Sequence, residues 1–179
     1  MQRRDLYARA RMKALIETLA LLAAMLAGVL AYPLVSHGAP ATGSDAPDFT
    51  LKEVGGRNLR LSEYRGDVVV VSFWASWCGP CRATLAELNR LPARAGDSAP
   101  VVLGVNVDGD AARASAIAKS IGLTFPTLVD ARQTVGRLYD VDRLPLTLLL
   151  DRDGVVRGSW SEKDFSGEVL ARQIEELDP

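Results

Sequence analysis

Residues 68–82 read VVVVSFWASWCGPCR, and the fold is decided within these fifteen positions. Val68 to Trp74 is an unbroken β-branched and aromatic run, the pattern of a strand covered on both faces. Directly after it, Pro80 to Leu91 carries Cys81, Leu85 and Leu88 at i, i+4 and i+7. That spacing predicts an amphipathic helix with Cys81 on its buried stripe, and Pro92 limits its continuation. The junction, Trp77-Cys78-Gly79-Pro80-Cys81, holds both cysteines of the chain.

Working outward, the same alternation of strand and helix recurs. Asp48 to Lys52 and Asn58 to Leu61 flank Gly55-Gly56, which is hairpin chemistry. Val101 to Val107 reads as a second buried strand. Asp110 then caps a helix whose Ala114, Ile117, Ala118 and Ile121 form one apolar face, and Gly122 ends it. Phe125 to Val129 reads as a short strand, Gln133 to Asp140 as a short helix and Leu146 to Asp151 as the third main strand. Asp151-Arg152-Asp153-Gly154 turns this strand into an antiparallel partner, Val155 to Trp160. Ser166 caps a last helix that turns Leu170, Ile174 and Leu177 inward. The expected architecture is α/β, a central mixed sheet with helices on both faces and an N-terminal β-hairpin, in one domain over residues 48–179.

The chain's averages, 48% hydrophobic residues and a net charge of −1 over 179 residues, conceal two unlike segments. Residues 14–35 hold 18 hydrophobic residues in 22, and the rest of the chain is ordinary for a soluble domain. Residues 1–13 carry five basic groups against Asp5, a net +4, whereas residues 36–179 carry 16 basic against 20 acidic groups, a net −4. Disorder, collagen-like repeats, a polytopic membrane protein and a basic nucleic-acid-binding domain do not fit this distribution. Twenty-two helical residues span roughly 33 Å, enough for a hydrocarbon core of about 30 Å. Residues 14–35 are thus expected to form one transmembrane helix, with the basic flank 1–13 in the cytoplasm and residues 36–179 outside, in the periplasm. A cleaved signal peptide is the alternative, with Ala39-Pro40-Ala41 as its cleavage region and a soluble periplasmic product. Residues 36–47, rich in Ala, Pro, Gly and Ser, read as a flexible tether. His37, the chain's one histidine, falls within it, so no histidine-based catalysis and no histidine-ligated metal site is expected in the domain.

Two cysteines three apart at a helix start bring their backbones near the 5.5 Å or so that a disulfide prefers, so the bond can form and break with little motion. Cys78 at the helix N-terminus meets unpaired N–H groups and the positive end of the dipole, both of which favour its thiolate. Cys81, one turn deeper against Leu85 and Leu88, is expected to keep its proton longer. A purely structural bridge is the rival, but closing four residues yields roughly 2 kcal/mol against about 4.7 for a 100-residue loop. A soft-metal site is the other rival, and it lacks further ligands in the domain. Redox chemistry by the thiols themselves, without a cofactor, is the expected role.

The stretch Val70 to Arg82 resembles the active-site segment of the thioredoxin superfamily. Its membrane-anchored bacterial branch, of the TlpA and ResA type, is similar also in the Ala-Pro-Asp-Phe segment (Ala46 to Phe49), in Gly122 to Asp130 (GLTFPTLVD) and in Leu144 to Asp151 (LPLTLLLD). The resemblance implies a thioredoxin-like fold and thiol-disulfide exchange, with Cys78 and Cys81 catalytic. It also implies that Pro145 is a cis-proline facing the cysteines, and that Trp77, Gly79, Pro80, Leu144 and Pro145 contact an extended protein substrate. Leu144 and Leu146 depart from the small or β-branched residues common there, and Trp74 and Trp77 resemble the family's aromatic pair. Thioredoxins carry a buried Asp where this chain has Ser72, and anchored relatives often carry a Glu where it has Thr84. Either hydroxyl is therefore expected to hold a water that relays the Cys81 proton. Ala86 replaces the usual kinking proline of that helix.

The resemblance further implies a mainly reducing enzyme, fed with electrons by a membrane-embedded thiol carrier and acting on protein disulfides such as those of apocytochrome c or of copper-site proteins. A disulfide oxidase or isomerase on the same fold, and a Cu(I)-binding assembly protein, are the alternatives. The Pro-x-x-x-Thr-x-x-Cys pattern of a peroxidase is absent around Cys78.

Overall fold

The computed structural model describes residues 39–91 and 99–177, together with residues 12, 17, 18, 20 and 21. The chain divides into two compact units, residues 1–37 and 38–179. Among the described residues no helix is long and apolar enough to cross a membrane. The predicted span 14–35 lies outside them except at residues 17, 18, 20 and 21, as does the flank 1–13 except at Met12.

The second unit is built on one seven-stranded mixed sheet. In chain order its elements are β1 (Thr50–Glu53), β2 (Asn58–Arg60), a 3-10 turn (Leu61–Tyr64), β3 (Val69–Trp74), α1 (Gly79–Leu88), β4 (Val101–Asn106), α2 (Ala111–Ile121), β5 (Thr127–Val129), α3 (Thr134–Leu138), β6 (Leu146–Leu150), β7 (Val156–Ser161) and α4 (Gly167–Leu177). The strands lie in the order β2-β1-β5-β4-β3-β6-β7. β3 pairs parallel with β4 and antiparallel with β6, and β4 pairs parallel with β5. The predicted hairpin β1–β2 forms, and β1 adds antiparallel to β5, so the hairpin belongs to the same sheet.

β3 is buried along its whole length, as its uniform apolar run requires. Val69, Val71 and Phe73 pack on one face with Leu61, Val135 and Tyr139 from the 3-10 turn and the α3 region. On the other face Val70 packs with Leu88 of α1 and with Leu170, Ala171 and Ile174 of α4. Trp74, at the strand's end, joins Leu85 of α1 and Ala114 of α2. Both faces therefore carry helices, as the sequence pattern predicts.

Local chemistry sets the element ends. The Asp110 side chain accepts the Arg113 N–H at 3.0 Å, and Gly122 ends α2 in the left-handed region. α1 begins one residue before Pro80 and ends at Leu88, before Leu91, and it runs through Ala86 without a break. α3 is shorter than expected and is flanked by Gln133 and Asp140, both at positive φ.

The tether boundary needs correction. Residues 36–47 read as flexible from composition, yet the Gly43 N–H donates to Val156 O at 2.7 Å, the Val156 N–H to Ser44 O at 2.9 Å and the Ala46 N–H to Gly154 O at 3.0 Å. Tyr139 Oη donates to Pro47 O at 2.5 Å, and Ala46 is buried. Backbone pairing with β7 depends little on residue type, so composition alone does not reveal it.

Candidate active site

β3 delivers the chain to the site and α1 carries it away. Between them, the Cys78 N–H donates to Ala75 O at 3.1 Å and closes a turn. Cys78 is the N-cap of α1: its backbone is extended, and its Sγ accepts the Cys81 N–H at 3.2 Å. Pro80 lies in the first helical turn, where the absence of an N–H costs nothing. Cys78 and Cys81 are joined as a disulfide with their Cα atoms 5.4 Å apart. Their accessibility is unequal, 5% for Cys78 and 0% for Cys81, so an incoming sulfur can reach only Cys78.

The surroundings are graded from open to closed. Trp77 stands 72% exposed, and Gly79 and Pro80 are exposed with it. Cys81 lies among Trp74, Leu85, Ala114 and Val129, and Leu144 and Val107 pack against that cluster. The Leu144–Pro145 peptide bond is cis. Beside Trp77, a groove of about 310 Å³ is bounded by Val107, Gly136, Arg137, Asp140 and Leu144. Trp77 and Leu144 line this groove, and Leu144 also packs against the buried cluster that holds Cys78 and Cys81.

The two hydroxyls stand differently. Ser72 is buried in β3, and its Oγ lies 3.1 Å from Thr147 Oγ1 of β6. Thr84 is buried on α1, one turn beyond Cys81. Neither position holds a carboxylate, but one the sequence reading missed is close to the turn. Asp108 Oδ2 accepts the Ser76 N–H at 2.6 Å, and its Oδ1 accepts the Asp110 N–H at 3.2 Å. Burial pushes the Asp108 carboxyl up, but hydrogen bonds from Ser76 and from the Asp110 N–H outweigh it and hold the group below the usual carboxylate range. Trp74 Nε1 is buried with no hydrogen-bond partner among the described residues.

No group of three or more His, Cys, Asp or Glu side chains gathers as a metal site among the described residues. What the arrangement can do is accept and release two electrons as a dithiol and disulfide, with one sulfur accessible and the other shielded.

Comparison with known proteins agrees with this chemistry. Residues 42–159 match the AhpC/TSA family. The thiol-disulfide oxidoreductase ResA of Geobacillus thermodenitrificans is 35% identical over 151 residues, covering 82% of this chain and 87% of that protein. ResA of Bacillus subtilis is 32% identical over 124 residues, covering 67% and 69%. The crystal structure of a Chlorobium tepidum protein assigned to the DsbE thiol:disulfide interchange proteins superposes with a TM-score of 0.70 at 32% identity, covering 78% of this chain and 99% of that one. With a thioredoxin-like sheet, a disulfide between cysteines three apart at a helix start and relatives of this closeness, the chain belongs to the AhpC/TSA thioredoxin-like family, among its ResA-type thiol-disulfide oxidoreductases.

Proposed function

We propose that the protein is a membrane-tethered, extracytoplasmic reductase of protein disulfides. The observation that carries this reading is the unequal pair: Cys78 reachable and capped by the Cys81 N–H, Cys81 sealed beneath it. In the reduced protein the Cys78 thiolate attacks one sulfur of a substrate disulfide. The Cys78–substrate bond forms, and the other substrate sulfur leaves as a thiolate. Cys81 then gives up its proton and attacks Cys78 Sγ, so that the second substrate sulfur leaves and the Cys78–Cys81 disulfide is restored. Two electrons have passed to the substrate, and a membrane-embedded thiol carrier returns them.

Two considerations support the direction and the place. Gly79-Pro80 resembles the reducing members of the superfamily. The apolar residues 14–35 behind a flank of net +4 fit a retained anchor with the domain outside. Trp77, Gly79, Pro80, Leu144 and Pro145 would then receive the extended substrate. Apocytochrome c or copper-site cysteines are the substrates that the family resemblance favours.

The test is a Cys81→Ser variant expressed in cells, whose envelope is probed for proteins disulfide-bonded to Cys78. Recovery of particular cysteine proteins supports the reading, and recovery of none overturns it. A reduction potential near −120 mV, that of a strong oxidant, would overturn the direction.

A further inference from the structure

The turn Ala75-Ser76-Trp77-Cys78 decides where the Cys78 sulfur lies relative to α1, yet its own closure is a single backbone hydrogen bond. Its middle holds the exposed Trp77, which contributes little to its rigidity. The remaining restraint comes from the neighbouring strand's exit. Trp74 and Asn106 pair across β3 and β4, and the Val107 N–H then donates to Trp74 O at 2.9 Å. One step further, Asp108 takes the Ser76 N–H at 2.6 Å, a short charge-assisted contact of the kind roughly twice as strong as a neutral one. Its second oxygen takes the Asp110 N–H, and Asp110 caps α2 through the Arg113 N–H. A single carboxylate therefore ties the active-site turn to the start of α2.

We propose that Asp108 is a positioning residue for the attacking sulfur: by holding the Ser76 N–H it fixes the turn so that Cys78 Sγ stays aligned with the Cys81 N–H. The inference rests on Cys78 being the nucleophile. Two effects of the carboxylate have opposite signs. As a fixed acceptor it keeps Cys78 where the helix start favours the thiolate, and as a nearby negative charge it disfavours that thiolate. The two can be separated, because Asn in place of Asp keeps an acceptor and loses the charge, whereas Ala loses both.

The experiment uses the full chain, reduced, and follows Cys78 thiolate absorbance against pH together with the rate of Cys78 alkylation by iodoacetamide. Asp108→Ala is expected to raise the Cys78 pKa and to slow alkylation at neutral pH by about tenfold, the scale on which misplacement of a reacting group acts. Asp108→Asn is expected to recover most of that rate, with a Cys78 pKa no higher than that of the parent. Should Asp108→Ala not fold, Asp108→Ser, whose shorter side chain does not span to Ser76, takes its place. An unchanged pKa and rate in the truncated variant, or an Asn variant as impaired as the Ala one, would overturn the proposal. Insulin-disulfide reduction is measured alongside. A parent chain that fails to reduce insulin while its Cys78 pKa still responds to Asp108 would sink the reductase reading and leave the positioning role intact.

Discussion

Ser72 Oγ and Thr147 Oγ1 lie 3.1 Å apart in the buried middle of the sheet, on positions that face each other directly across β3 and β6. The position that carries an acid in thioredoxins is here half of a neutral hydroxyl pair, already satisfied by its neighbour. Ser72→Ala leaves the Thr147 hydroxyl without that partner and is expected to cost about 1–3 kcal/mol. Joining it with Thr147→Val removes both polar groups and recovers part of the loss, because the two sites share one interaction. Urea unfolding of the two single variants and the double variant measures this coupling. Strictly additive losses would show that the pair contributes nothing.

With Ser72 engaged, Thr84 is the better placed of the two hydroxyls to hold a relay water for Cys81, since it lies one turn along the same helix and is also buried. Thr84→Glu would place a carboxyl there, its pKa raised by burial toward neutrality, where a general base is most effective. Resolution of a mixed disulfide on Cys78 is then expected to accelerate at least severalfold, most of all between about pH 6 and 8. Single-turnover release of a labelled peptide from Cys78 is the measurement. An unchanged rate across that range would show that proton removal from Cys81 is not limiting.

The elements that the sequence disclosed are those with a local cause. The period-3.6 stripe of α1, the Asp110 cap and Gly122 stop of α2 and the apolar run of β3 each reside within a dozen residues, and each is where the pattern puts it. The cysteine pair was legible for the same reason. What stayed hidden depends on partners far along the chain: Asp108 meets Ser76 across 32 positions, and Ser72 meets Thr147 across 75. An Asp between two strand-helix units reads as ordinary loop polarity until the sheet order sets β4 beside β3. Residues 43–47 are held by backbone hydrogen bonds to Gly154 and Val156 and by the Tyr139 hydroxyl on Pro47, partners more than ninety positions away that composition does not disclose.

The turn after β6 makes stability depend on acid pH. Asp151 accepts the Val155 N–H at 2.9 Å, the Asp153 N–H at 3.0 Å and the Arg157 guanidinium at 2.6 Å. Burial pushes its carboxyl up, but these donors prevail and hold it below its ordinary 3.8. A depressed folded value means that the unfolded chain takes up the proton first as pH falls. Stability is therefore complete above the ordinary value and is lost as pH drops through it toward the folded value. Asp151→Asn is expected to give a shallower decline of the urea midpoint between about pH 5 and 3 than the parent shows. Parallel slopes in the two proteins would exclude Asp151 as a source of the acid dependence.

Two glycines near the disulfide should respond oppositely to alanine. At Gly104, in β4, a Cβ would come 3.0 Å from Phe125 Cε2 and 3.4 Å from Trp74 Nε1, both in side chains packed around the cysteine cluster. Trp74 is fully buried, and the partly buried Phe125 ring would have to give way, so Gly104→Ala is expected to cost about 1–3 kcal/mol as overpacking. It should also shift the Trp74 fluorescence, and a Trp77→Phe background removes the exposed indole from that signal. At Gly79 a Cβ meets nothing within 4 Å, and the residue opens α1. Gly79→Ala therefore adds helix preference without a clash and is expected to leave stability equal or raised by about 0.4–1 kcal/mol. Its effect should fall instead on substrate access, because the added methyl stands exposed beside Cys78. Insulin reduction by Gly79→Ala is expected to show a higher KM with little change in kcat, the signature of weakened ground-state binding. A destabilised Gly79→Ala, or a Gly104→Ala as stable as the parent, would contradict the packing described around the pair.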